Sequence, residues 1–95
     1  MKYRQITSTT KQLFSRISPS LRAKLIHILL NSIRTKDREN FVFELLRNLN
    51  TINDSKKEDL AEMLEEILFL DDKEFEKVAY SIILGIMSAG SKRED

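Results

Sequence analysis

Leu60-Ala61-Glu62-Met63-Leu64-Glu65-Glu66-Ile67-Leu68 decides the fold class. Its apolar residues Leu60, Met63, Leu64, Ile67 and Leu68 stand at i, i+3, i+4, i+7 and i+8, the spacing of a helix with one buried face. Glu58, Glu62, Glu65 and Glu66 lie away from that stripe, and Ser55-Lys56-Lys57-Glu58 in front of it reads as a capping box. Downstream, Asp71-Asp72-Lys73-Glu74 is a second, acid-rich start signal. It opens a helix whose inner residues are Phe75, Val78, Ala79, Ile82 and Ile86. Ile82-Ile83-Leu84-Gly85-Ile86-Met87 is apolar nearly all round, so this helix is either enclosed by the others or covered by a partner.

Upstream, the loop Asn48-Leu49-Asn50-Thr51-Ile52-Asn53-Asp54 is dense in turn formers. Before it, Phe41, Val42, Leu45, Leu46 and Leu49 mark a helix that follows the short Thr35-Lys36 connection. The preceding helix runs from Pro19 to Ile33 with Ser18 as N-cap, and Leu21, Leu25, Ile28, Leu29 and Ile33 give it a wide apolar face and a central place. In the first segment Leu13, Phe14 and Ile17 form a stripe that Ile6 extends, whereas Thr7-Ser8-Thr9-Thr10 suits a cap better than a helix interior. No strand-like alternation of useful length and no repeat of 20–50 residues appears. These patterns predict an all-α fold, a compact bundle of four to five short antiparallel helices in a single domain over 1–95.

Composition narrows the function. The 95 residues include no Cys and one His, His27, so a disulfide framework is excluded and a histidine-based zinc site or Ser-His-Asp triad is hard to assemble. The absence of Cys fits a cytoplasmic protein, and no run approaches the ~20 apolar residues of a membrane span. Asp71 and Asp72 are adjacent, and adjacent helical residues do not face each other, so they read as a helix start rather than an acid/base pair. Asp54, Glu58 and Glu62 lack the spacing and glycine of a calcium loop. No glycine-rich phosphate loop is present. The expectation is a protein that is not an enzyme and that uses no cofactor or metal.

Charge is the strongest signal. Residues 1–50 hold ten Lys or Arg against three acids, and residues 51–95 hold six against twelve, so a net +1 conceals a basic half and an acidic half. The first acid is Asp37; Lys2, Arg4, Lys11, Arg16, Arg22, Lys24, Arg34 and Lys36 all precede it. Lys24, His27, Asn31 and Arg34 share one polar side of their helix, with Arg22 beside them and Lys36 and Arg38 at the next turn. Such a surface suits a phosphate backbone and has little means of reading bases. Tyr3 and Phe43 are the available aromatic platforms for a single strand. A helix-turn-helix reader is disfavoured, because the turn lacks glycine and Phe41-Val42-Phe43-Glu44-Leu45-Leu46 is too apolar for a major groove. Opposite charges on the two halves also permit head-to-tail stacking of copies.

Two stretches resemble a known family. Ile33-Arg34-Thr35-Lys36-Asp37-Arg38-Glu39-Asn40-Phe41, leading into Leu45-Leu46-Arg47, is similar to a segment near the C-terminus of the large subunits of type I CRISPR interference (Cascade-like) complexes. Phe75 to Met87 resembles the closing helix of the same region, which in several such systems is also made separately as the small helical subunit. The two stretches span under a third of the chain and are degenerate helical patterns; the charged tail 91–95 fits neither. The resemblance implies a helical subunit present in several copies along a guide-RNA filament. It would contact neighbouring subunits and steady the guide–target DNA duplex or the displaced strand without sequence readout. Only a basic surface carries over, onto Lys11, Arg16, Arg22, Lys24, Arg34, Lys36 and Arg38. The other reading from the residues is a small protein-interaction module (an adaptor, antitoxin or phage inhibitor) that works through its acidic half.

Overall fold

A computed structural model describes residues 3–90; Lys2 and the tail 91–95 lie outside the described residues. The apolar spacings become five helices: α1 (Tyr3–Phe14), α2 (Pro19–Arg34), α3 (Arg38–Leu49), α4 (Lys57–Ile67) and α5 (Asp72–Ser88). The fold is all-α, with no strand among the described residues.

Three helix starts form as their sequences dictate. Ser18 Oγ accepts from Leu21 N with Pro19 in the first helical position, Asp37 Oδ1 accepts from Asn40 N, and Asp71 Oδ1 accepts from Glu74 N. The capping box at Ser55 does not form. α4 begins at Lys57 without a side-chain cap, because Asp54 Oδ1 takes the Lys56 N–H at 2.9 Å and closes the turn before Ser55 can act. The predicted loop is also shorter, since α3 continues through Asn48 and Leu49, and Ile52 returns to the core.

α5 rather than α2 is the spine of the molecule. It packs along α1 on one side and α2 on the other, while α3 joins α2 to α4. α1 and α5 run parallel: Tyr3 meets Glu74, Thr7 meets Ser81 and Thr10 meets Gly85 in rising order. Thr7 to Thr10 are therefore interior to α1, not its cap. Thr7 Oγ1 lies 3.1 Å from both its own Tyr3 carbonyl and the Ser81 carbonyl, so its polar group is satisfied inside a helix–helix seam. The mid-helix glycine has its reason here: a Cβ on Gly85 would come within 2.7 Å of the Thr7 carbonyl and of Thr10 Cβ. On the other side of the bundle Phe41 and Phe75 pack edge to face, 5.6 Å apart, and join α3 to α5.

The inner row of α2 is rotated from the predicted one. Arg22, Leu25, Leu29, Ser32 and Ile33 are buried, whereas Leu21 and Leu30 are exposed. α2 ends in a left-handed turn in which Lys36 N donates to Ile33 O and Asp37 N to Ser32 O. Lys36, at φ 58°, holds the position that glycine favours.

Candidate nucleic-acid interface

The charge division seen in sequence becomes a division between helices. α1 and α2 together contain five Lys or Arg and no acid, whereas α4 contains one Lys and five acids. Lys11, Lys24 and Arg34 are exposed on α1 and α2, and Arg34 bonds back to Asn31 Oδ1 one turn earlier. His27, Asn31 and Arg34 line a shallow depression of about 540 Å³ shared with Glu76 and Tyr80 of α5. At the acidic end a groove of about 740 Å³ is lined by Asp59, Glu62, Glu66 and Glu74 above Met63 and Leu70.

Two of the seven sequence-predicted cations do not join the exposed surface. Arg22 is buried to 9% exposure, and its Nη1 donates to the carbonyls of Phe14 (3.1 Å) and Ile17 at the end of α1. Arg38 does the same elsewhere. Its Nη1 donates to the carbonyls of Ile67 (3.3 Å) and Leu70, its Nη2 pairs with Asp72 Oδ1 at 2.6 Å, and its guanidinium lies 5.0 Å from the Phe75 ring centroid. Both arginines satisfy carbonyls that a helix end leaves without an intrahelical partner. Two further cations are exposed but paired: Arg16 Nε lies 3.5 Å from Asp54 Oδ2, and Lys36 Nζ lies 3.5 Å from Asp72 Oδ2. Asp54 is thus tied to Arg16 and to the turn before α4.

Comparison with known protein families, with curated proteins and with solved structures finds no match. The interface rests on this chain's own residues.

Lys11, Arg16 and Arg22 are brought together in one cleft of about 920 Å³, where the end of α1, the start of α2 and the end of α5 meet. Among the described residues, no carboxylate lines this cleft. Lys24 and Arg34 continue the basic track along α2, while Lys36 and Arg38 lie beside Asp37, Glu39 and Asp72 and are largely neutralised.

The aromatic platforms are redistributed as well. Tyr3 is partly buried and its hydroxyl donates to Glu74 Oε1 at 2.6 Å; that bond, then burial and the carboxylate's charge, push the phenol pKa up. Phe43 is exposed, as its place on the polar side of α3 implies. The most exposed aromatic is one that sequence reasoning passed over, Phe69 at 88% in the α4–α5 turn. The available signal was its place one residue past the apolar stripe and two before the Asp71 cap.

Proposed function

We propose that this chain is a non-catalytic subunit of a cytoplasmic ribonucleoprotein of the CRISPR interference type, holding nucleic-acid backbone on its α1–α2 side. The observation that supports it most directly is the acid-free α1–α2 pair set against an acidic α4 on the same small domain. α2 has 16 residues and is about 24 Å long. Its exposed row can follow a strand for roughly seven steps at about 3.4 Å each. Lys24 and Arg34 approach phosphates without offering a pattern of donors and acceptors to bases, so specificity is left to guide–target pairing.

Several copies would stack head to tail, the acidic α4 of one against cations of the next that the strand leaves free, because like-charged faces repel and opposite ones steer. Light scattering across a salt series tests this: assembly at low salt supports stacking, and a monomer at low salt and high concentration contradicts it.

The decisive experiment is affinity capture from the native host, with bound nucleic acid extracted and sized and the proteins identified. A discrete RNA of uniform length with larger subunits is the expected result, and Lys24→Glu with Arg34→Glu should abolish its recovery. A stoichiometric protein partner without nucleic acid contradicts the proposal.

One observation favours the second reading, a protein-interaction module. Phe69 is the most exposed aromatic, and Tyr80, Leu84 and Met87 stand at i, i+4 and i+7 of α5 as one exposed apolar row, the kind of surface that a protein partner covers. If that reading holds, Phe69→Ser lowers partner recovery while the Lys24/Arg34 reversal leaves it intact.

A further inference from the structure

The cleft at the end of α1 holds an arginine with donors to spare. Arg22 Nη1 is committed to the Phe14 and Ile17 carbonyls. Among the described residues neither its Nη2 nor its Nε has a hydrogen-bond partner, although the residue is nine-tenths buried and lines the cleft. Nη2 faces Gly90, on which a Cβ would stand only 3.1 Å away; the missing side chain leaves that edge of the guanidinium clear.

Its surroundings favour an anion. Lys11 and Arg16 line the same cleft with hydroxyl-bearing Ser8, Ser15 and Ser18, and among the described residues no carboxylate joins them. Asp54 engages Arg16 through Nε, which leaves that residue's Nη groups available. The positive end of α2 opens at the same place. A planar guanidinium edge with two parallel donors matches two oxygens of one phosphate.

We infer that this cleft seats a phosphate group of a bound nucleic-acid strand, with Arg22 Nη2 and Nε as the fixed donors and Lys11 and Arg16 beside them. The inference rests on the nucleic-acid reading above and deepens it by giving a diffuse basic track one specific anchoring point.

Three variants and two probes test it. The variants are Lys11→Ala with Arg16→Ala, Lys24→Ala with Arg34→Ala, and Gly90→Val, which crowds Nη2 without changing the charge. The first probe is a fluorescent oligothymidylate followed by anisotropy at about 50 mM salt. Lys11→Ala/Arg16→Ala should weaken binding by about tenfold and reduce the slope of log K against log salt by about 1.4, as two lost phosphate contacts require. Gly90→Val should weaken binding several-fold.

The second probe is inorganic phosphate at matched ionic strength, which should raise the melting temperature of the native chain and of Lys24→Ala/Arg34→Ala by about 3 °C. The Lys11→Ala/Arg16→Ala protein should gain less, and that difference removes the general salting effect of phosphate.

Oligonucleotide binding that Gly90→Val and Lys11→Ala/Arg16→Ala leave unchanged overturns the seat while the nucleic-acid reading stands. Variant-sensitive stabilisation by phosphate without oligonucleotide binding keeps the seat and overturns the strand as its ligand. Failure of both probes overturns both.

Discussion

The corners at 14–18 and 67–71 are built alike and end differently. In each, a helix finishes in a turn closed by an N–H three residues on, Ile17 to Phe14 and Leu70 to Ile67. In each, an arginine donates through Nη1 to the carbonyls of those same two residues, and the next residue caps the following helix. The exposed tips differ: Ser15 and Arg16 at one corner, Leu68 and Phe69 at the other. The remaining donors differ too. Arg38 gives its second nitrogen to Asp72 and stacks on Phe75, whereas the second nitrogen of Arg22 faces a cleft lined by cations. One device closes a corner completely, and the other closes its corner while holding half of its hydrogen-bonding capacity open. The number of cations in a stretch of sequence therefore says less about binding than the partners each one finds on folding.

The largest expected effect separates the two arginines by stability. Arg38→Ala removes the Leu70 carbonyl's donor, the Asp72 pair and the contact over Phe75, and should cost about 3 kcal/mol in urea unfolding. Arg22→Ala removes the carbonyl bonds alone and should cost about 2 kcal/mol. Equal losses would mean that the Asp72 and Phe75 contacts contribute nothing and that the corners do not differ.

Lys36 sharpens the comparison on a smaller scale. Lys36→Gly relieves a left-handed non-glycine residue, a gain of about 1 kcal/mol, and loses an exposed ion pair with Asp72 worth less than about 1 kcal/mol. The net expectation is a slightly more stable protein. A clear destabilisation would show that Lys36 supports the Arg38–Asp72 corner.

The smallest effect concerns the α1–α5 link near the second corner. The phenol of Tyr3 has its pKa raised above 10 in the folded state by its bond to Glu74, so the folded chain retains that proton longer than the unfolded one. The contribution is fully present below about pH 10 and is lost as pH rises through the folded value. Thermal scans should show native Tyr3 losing its small advantage over Tyr3→Phe only on the alkaline side. A constant difference across that range would remove the Tyr3–Glu74 bond as its source.

The fold was legible because burial follows helical period: Leu60, Leu64 and Ile67 of α4 and the inner residues of α5 stand at the expected spacing, and two caps sit where Ser18 and Asp71 promise them. The candidate site was legible only as a charge. Arg22 precedes Leu25 and Leu29 by three and seven residues, and Arg38 precedes Phe41 and Leu45 by the same intervals. Both therefore occupy inner-row positions at helix starts, where a long side chain can reach the end of another helix. Read as cations, they join the surface; read by period, they join the core. The threonines of α1 escaped for a related reason. Their preference for caps is overridden by the Gly85 seam, which lies 75 residues beyond Thr10 and leaves no trace in the local sequence.

The most direct test of the account compares the two guanidinium groups in one sample. Nitrogen-resolved proton spectra of the Arg22 and Arg38 Nε–H groups, recorded while an oligothymidylate is added at low salt, report on both corners at once. The account predicts that the Arg22 signal shifts and its exchange with water slows, while the Arg38 signal stays where it was. A shift at Arg38 and at the ring of Phe69 with Arg22 unmoved would contradict it and transfer binding to the opposite corner.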